Sequence, residues 1–322
     1  LFWGAGRRRK QKEREKMDKT KIEWCDSTWN PVTGCLHGCE YCYARGIAER
    51  FAGCDTGSTY GEYHQSTWKR VNSDSPLSEA IFEVDTKCPP INIRFDTEKQ
   101  KEVHRIAPYP WGFQPTLRRD RLADYEKKTG RTIFVCSMAD LFGSWVPDSW
   151  IEEVFAACEK APQHRYLFLT KNPQRYIDLA LAGKLPAKDN MWYGTTATTP
   201  DEQFFWGGAW HTFVSIEPIL RDYSGEIQKM CDTFAQWVIV GAETGKRKGK
   251  VIPEKSWIDA ITKTCIESSI TLFMKDSLIP IIGEENMFRE LPWESIEKRK
   301  SNINREQEWI DRYYRDTKEL HI

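Results

Sequence analysis

The chain has 322 residues, 40% apolar and 29% charged, and its 47 basic and 47 acidic side chains balance. This length can bury a sizeable core, while ten cysteines are too sparse for a disulfide-built fold, so we expect reduced thiols. A mean hydropathy of −0.63, no apolar run near the ~20 residues that span a bilayer, and no secretory signal exclude an integral membrane protein and indicate a soluble, cytoplasmic one.

A basic segment lies at the start of the chain. Residues 1–16 carry seven Lys or Arg and two Glu, a net charge of +5, which leaves −5 for the remainder. We interpret these residues as a disordered tail or upstream translated sequence before a body that starts at Met17. A mildly acidic body argues against broad non-specific binding of nucleic acid but allows a local basic groove.

The first motif is a cluster of three cysteines, Cys35, Cys39 and Cys42, with the spacing C-x3-C-x2-C. Gly34 and Gly38 favour a loop whose backbone curls around a bulky centre. Three thiolates can hold an iron–sulfur cubane and leave one of its four irons open to another ligand.

Structural zinc is the alternative for this cluster. A closed zinc site takes four ligands, and Cys25, His37 or Cys54 could supply the fourth.

Gly, Ser, Thr and Tyr dominate residues 54–67, and prolines punctuate the remainder to about residue 120. We interpret residues 54–120 as an insertion between the first and second strand–helix units that caps the mouth of an α/β barrel. Residues 91–95 are a candidate strand within it. The segment 111–119 combines aromatics with Arg118 and Arg119, which suits either stacking on bases and contacting a nucleic-acid backbone or packing as a cap.

From Thr132 onward short apolar runs alternate with amphipathic stretches. The predicted strands are residues 132–136, 166–169, 191–193, 212–215, 237–240 and 271–274. Predicted helices start near Pro147–Asp148, Asn172–Pro173, Thr199–Pro200 and Pro253–Glu254. Nearly continuous apolar strands linked by helices predict an α/β barrel or an open parallel sheet.

Polar and ionisable residues gather where these strands end. They include Asp140, Lys171, Glu217, Glu243 and Lys275. In a barrel those ends share the face that carries chemistry, although each residue could instead cap a helix or form a loop ion pair. The basic loop of residues 246–250 follows Glu243 and could bind phosphates or be a solvated loop. The charged residues 293–322 predict a surface helix with Trp309, Ile310, Tyr313 and Tyr314 as sparse apolar points.

The cysteine motif, with Tyr41 directly before its last cysteine, resembles that of the radical S-adenosylmethionine (SAM) superfamily. An ordered series of segments is similar to a phage- and prophage-associated branch of unknown function within it. The series comprises residues 20–24, 28–35, 137–143, 169–172, 215–218, 241–245 and 273–276. The resemblance spans roughly residues 19 to 292.

The resemblance implies a partial TIM-type barrel over residues 17–292, with a [4Fe–4S] cluster on the three cysteines and SAM chelating the open iron. One-electron cleavage of SAM would give a 5′-deoxyadenosyl radical that takes hydrogen from a substrate. An electron donor such as flavodoxin or ferredoxin is an implied partner.

The resemblance also implies roles for the cofactor-binding candidates. Tyr41 would lie against the adenine and Asp140 would contact the SAM amino group, although the usual Gly-Gly-Glu pattern is absent. Glu217 and Glu243 would bind ribose hydroxyls or substrate, and Lys171 would neutralise a carboxylate or phosphate.

The basic loop and the Arg-rich segment favour a nucleotide or nucleic acid as substrate, with a peptide or partner protein next. Two other functions compete. One is a zinc- or cluster-bearing module that binds nucleic acid without radical chemistry, and the other is a subunit that acts only with a partner protein.

Overall fold

The computed structural model describes residues 20–53, 68–86, 90–98, 100–224, 235–294 and 305–315. The predicted tail, Cys54 and most of the Gly- and Ser-rich start of the insertion lie outside these ranges. The chain divides into two compact units, Leu1–Pro186 and Ala187–Ile322. Parallel strands alternate with helices in both units, which confirms the predicted α/β class and its partial TIM-type barrel.

The first unit contains a parallel sheet and an antiparallel-rich insertion. Its strands are β1 (Ser27–Trp29), β2 (Val32–Thr33), β3 (Trp68–Arg70), β4 (Phe82–Val84), β5 (Ile91–Asp96), β6 (Lys101–Ile106), β7 (Thr116–Arg118), β8 (Thr132–Val135) and β9 (Arg165–Thr170). Its helices are α1 (Tyr43–Arg50), α2 (Asp148–Lys160) and α3 (Pro173–Leu181), with 3-10 turns at Leu77–Glu79 and Arg119–Arg121.

In the parallel sheet of this unit, β1 pairs with β8 and β8 with β9, placing Ile133 between Ser27 and Tyr166. Helix α2 buries one face, which includes Val154 and Cys158, both fully buried. The apolar residues of α2 recur at helical spacing and therefore form one apolar face. This face covers one side of the sheet, whose strands are themselves apolar.

The insertion contributes to two further sheets, one of which also contains β2 from outside it. Strands β2, β7, β4 and β3 form a four-stranded sheet in that order, and β5 pairs with β6 in an antiparallel hairpin. Strand β5 confirms the strand predicted at residues 91–95.

The second unit contains β10 (Met191–Thr196), β11 (His211–Ile216), β12 (Trp237–Val240) and β13 (Thr271–Met274), which pair in parallel in chain order. Its helices are α4 (Lys255–Glu267), α5 (Ile279–Ile282) and α6 (residues 305–315), with 3-10 turns at Asp276–Leu278 and Glu284–Asn286. Residues 305–315 confirm a C-terminal helix, but Trp309 is buried in the same core cluster as Ile261 and Leu272 instead of lying on the surface.

Three of the four predicted helix starts agree with the structure to within two residues. The helix predicted at Thr199–Pro200 is wrong, because residues 197–210 contain turns and no helix. The Glu202 carboxylate bonds back to the Thr198 amide, and the Phe205 amide bonds to Thr195 Oγ1 at 3.0 Å. The Phe205 amide, which a helix starting at Thr199–Pro200 would have paired with a backbone carbonyl, is therefore satisfied by a side chain.

Across the described ranges, no helix combines the length and apolarity needed to cross a membrane.

Candidate metal centre

The three cysteines of the motif lie on the loop between β2 and α1. Cys35, Cys39 and Cys42 are free thiols, each half-buried. The Cys42 amide donates to the Cys39 carbonyl at 3.2 Å, and Cys42 is the N-cap of α1, where its Sγ accepts the Arg45 amide at 3.4 Å. The start of α1 therefore holds Cys42, the last cysteine of the motif, in position.

The backbone around Gly34 lies against two neighbouring segments. The Gly34 amide donates to the Met138 carbonyl at 2.8 Å, and the Cys35 amide donates to the Phe113 carbonyl at 3.1 Å. Gly34 has φ +86°, and a Cβ built on it would lie 2.2 Å from the Gln114 carbonyl oxygen. Only glycine fits this position, because both the backbone conformation and the available space exclude a side chain.

The thiols interact electrostatically. Burial, with smaller contributions from the negative charges of Asp140, Cys39 and Cys42, raises the pKa of the Cys35 thiol to about 12, and the His37 backbone amide acts in the opposite direction. Cys35 is thus protonated at neutral pH, and a bound cation must displace this proton. No three His, Cys, Asp or Glu side chains of the described residues form a group that could hold a metal ion.

Asp140 links the cysteine loop to the ends of β8 and β9. It is 5% exposed, and its Oδ2 lies 2.7 Å from His37 Nε2. It also accepts the Thr170 hydroxyl at 2.7 Å and the amides of Phe142 and Lys171 at 3.0 and 2.9 Å. These contacts make Asp140 an anchor of the loop, and its contact with SAM stays a prediction.

Tyr41 and Lys171 meet beside the same loop. The Lys171 ammonium lies 5.3 Å from the centroid of the Tyr41 ring, within range of a cation–π contact. The structure therefore brings three of the predicted cofactor-binding residues, Tyr41, Asp140 and Lys171, together around the cysteines.

A cavity of about 330 Å³ opens beside Cys35. Its lining includes the charged side chains of Arg45, Glu49 and Glu79 together with Phe113. The Arg45 guanidinium stands 5.2 Å from the Phe113 ring centroid. A polar molecule could therefore approach one side of the cysteine loop.

The other two candidates, Glu217 and Glu243, belong to the second unit and are paired there with cations. Glu217 follows β11 and forms an ion pair with Lys275. A Cβ on Gly241 would lie 3.1 Å from Lys275 Cδ, so a glycine leaves room for this pair. Glu243 is 5% exposed, and hydrogen bonds from Arg247 lower the pKa of its carboxyl. The observed contacts of Glu217 and Glu243 are therefore ion pairs, and the binding of a cofactor by these two residues stays a prediction.

The contacts of the Arg-rich segment favour the packing alternative, because carboxylates of the same unit pair with both Arg118 and Arg119. Arg118 is fully buried, donates twice to Asp120 at 2.9 Å and once to the Ala107 carbonyl at 2.9 Å. Arg119 donates to Glu83 at 2.9 Å. Buried charges require such partners, and these leave Arg118 no access to a ligand.

The sequence indicates His37 only as a possible zinc ligand. Its bond to Asp140, 103 positions away, is not predicted by the sequence. Its place between two cysteines was the only local signal.

Fold and site together define an α/β protein with a three-cysteine candidate metal centre. Residues 19–278 match a family described as "Protein of unknown function (DUF5131)". This match covers most of the chain, so the chain belongs to that family. No curated protein matches it.

Solved structures of spore photoproduct lyase are distantly similar. The enzyme complexed with dinucleoside spore photoproduct is 11% identical with a TM-score of 0.39, over 92% of this chain and 76% of that one. A mutant of the lyase is 10% identical with a TM-score of 0.43, over 80% and 78%. Likenesses this distant assign no function to the chain.

Proposed function

We propose that this chain is a radical SAM enzyme in which Cys35, Cys39 and Cys42 hold a [4Fe–4S] cluster. The proposal rests on one observation, the loop that carries three free, half-buried thiols with Gly34 and Gly38 at positive φ. Each cysteine of a cubane binds a different iron, so the thiols need to surround a cluster and not converge on one ion. Three ligands leave the fourth iron to the amino and carboxylate groups of SAM.

When bound, the cluster and SAM supply a one-electron cleavage of the sulfonium bond that yields a 5′-deoxyadenosyl radical able to take hydrogen from a substrate. The protein positions these reactants. Tyr41 offers an aromatic face to the adenine, and the Lys171 ammonium beside it can neutralise the SAM carboxylate. Asp140 holds the cysteine loop against the ends of β8 and β9.

We propose a nucleotide or nucleic acid as the substrate class and a flavodoxin- or ferredoxin-like protein as electron donor. The exposed Lys246 and Lys248 support this substrate class, as does the Arg45 guanidinium beside the cavity next to Cys35. Arg118 does not support this substrate class, because its side chain is buried.

The test is anaerobic reconstitution of the full chain with iron and sulfide, followed by an assay of SAM cleavage. We expect about four irons per chain and 5′-deoxyadenosine that forms only with a reductant. Replacing Cys35, Cys39 or Cys42 by Ala should abolish both. The matched controls C158A and C265A alter thiols buried in the cores and should leave both intact.

Two results would contradict the proposal. One is bound zinc with no turnover of SAM, and the other is the same iron content in all five cysteine variants.

A further inference from the structure

The cavity beside Cys35 has charged groups of both signs in its lining. It contains one cation, Arg45, and two carboxylates, Glu49 and Glu79, together with the Phe113 ring. Arg45 and Glu49 belong to α1, and Glu79 ends the 3-10 turn Leu77–Glu79 of the insertion. The cavity is therefore bounded both by the helix that begins at the cysteine motif and by the insertion.

Arg45 is held in position without using its side-chain donors. Its backbone amide donates to Cys42 Sγ at 3.4 Å, and its guanidinium lies 5.2 Å from the centroid of the Phe113 ring. That ring is buried in one cluster with Ala44 and Ala48 of α1. Within the described part of the chain, the Arg45 guanidinium donates no hydrogen bond and forms no ion pair. All of its N–H groups are therefore available to a molecule in the cavity.

The two carboxylates have no such partner either. Glu49 follows Arg45 by four positions on α1, a spacing at which opposite charges commonly pair, yet no ion pair joins these two described residues. Glu49 and Glu79 are exposed, and neither carboxylate has a hydrogen-bond partner among the residues that the structure describes. The lining thus offers one cationic fork of donors and two anionic acceptors.

These groups complement a ligand that carries one anion and several hydroxyl donors. A planar guanidinium fits a phosphate through two parallel hydrogen bonds, and carboxylates accept hydrogen bonds from ribose hydroxyls. A volume of about 330 Å³ lies at the small end of ligand sites, which suits one nucleotide. Two carboxylates also repel the successive phosphates of a nucleic-acid strand.

Resting on the proposed function, we propose that this cavity is the substrate site and that it takes a single nucleotide. The phosphate binds Arg45, and the ribose hydroxyls bind Glu49 and Glu79. Because α1 begins at Cys42 and carries Arg45 one turn later, the nucleotide is held next to the cysteine loop. None of the described lining residues is a candidate for SAM, so the nucleotide and SAM occupy different sites.

The experiment measures the binding of small probes to the reconstituted full chain by calorimetry. The probes are the common ribonucleoside 5′-monophosphates, their nucleosides, their 2′-deoxy forms and a single-stranded oligonucleotide. R45A removes the donor fork, R45K keeps the charge without the fork, and E49Q and E79Q each remove one carboxylate. The matched control R50A alters an exposed arginine of α1 that does not line the cavity.

We expect wild type to bind at least one nucleoside 5′-monophosphate. R45A should raise its Kd about ten- to a hundredfold, with R45K in between, and leave the Kd of the nucleoside unchanged. E49Q and E79Q should each raise the Kd of the ribonucleotide about three- to tenfold, and R50A should bind like wild type. The two glutamate variants change exposed positions and provide the test if R45A fails to fold.

Four results would overturn the inference. They are no binding of any mononucleotide, an unchanged Kd in R45A or in both glutamate variants, tighter binding of the oligonucleotide than of every mononucleotide, and competition between the mononucleotide and SAM. Each leaves the proposed function standing as long as wild type holds iron and cleaves SAM. A wild-type chain that takes up no iron but binds the nucleotide through Arg45 would contradict the proposed function and support the nucleotide site.

Discussion

Arg247 binds Glu243 through two parallel hydrogen bonds, from Nε to Oε1 at 2.7 Å and from Nη2 to Oε2 at 2.8 Å. Glu243 lies just beyond the end of β12, after Gly241 and Ala242, and is buried, whereas Arg247 belongs to the basic loop. This ion pair ties that loop to the end of the sheet. The carboxylate predicted from the sequence to bind a cofactor is therefore paired with an arginine in this structure.

Replacing Arg247 by Ala should lower the free energy of unfolding by about 1–3 kcal/mol, because a buried carboxylate loses its donors. Arg247 lowers the pKa of Glu243, so the contribution to stability is complete above the usual value of 4.5 and is lost as the pH falls through the folded-state pKa. Urea unfolding of wild type and R247A between pH 7 and 3 measures this difference. The control R221A removes an exposed ion pair and should cost under about 1 kcal/mol. A difference between wild type and R247A that persists unchanged at acid pH would contradict the assignment.

Gly34 and Gly38 offer a matched pair of substitutions. Both have positive φ, but an added Cβ clashes with the Gln114 carbonyl only at Gly34 and meets nothing within 4 Å at Gly38. G38A should cost only the backbone strain of about 1–2 kcal/mol and keep iron binding. G34A should displace the loop and lose iron. Equal iron contents in the two reconstituted variants would show that the packing at Gly34 is unimportant for the centre.

The buried Arg118 should be a stability determinant. R118A leaves the Asp120 carboxylate and the Ala107 carbonyl without their donor, and we expect a loss of about 3–5 kcal/mol in the free energy of unfolding. K255A, which removes an exposed helical pair with Asp259, should cost about 0.5 kcal/mol or less. Denaturant titration measures both. Similar small losses would mean that the Arg118 network is not tightly packed.

Tyr41 should contribute to SAM affinity through its ring. Y41A should raise the Kd of SAM by roughly three- to tenfold, the equivalent of about 0.5–1.5 kcal/mol for an aromatic contact, while Y41F should bind like wild type. Calorimetry on the reconstituted chain provides the Kd. An unchanged Kd in Y41A would remove Tyr41 from the binding site.

Local pattern was sufficient for the parallel strands from β8 onward, although it did not predict β1. The runs at residues 237–240 and 271–274 predict β12 and β13 to the residue, because buried parallel strands are apolar throughout. The Thr199–Pro200 signal misled, because the Phe205 amide, which a helix would pair with a backbone carbonyl, bonds to the Thr195 hydroxyl instead.

The site was only partly predictable, because its contacts join distant positions. The cysteine spacing is local and could be read directly, whereas the His37–Asp140 bond depends on how β8 meets the loop. Arginines beside aromatics fit either a nucleic-acid surface or a packed core. Only the fold, which places Asp120 and the Ala107 carbonyl around Arg118, distinguishes the two.

The central claim is that the three cysteines hold a cluster with one iron open to SAM. Electron paramagnetic resonance of the reduced, reconstituted chain with and without SAM tests it most directly. We predict a cluster signal that changes when SAM is added, because the amino and carboxylate groups of SAM bind the open iron. A cluster spectrum that SAM leaves unchanged, or the absence of any cluster signal, would contradict the claim.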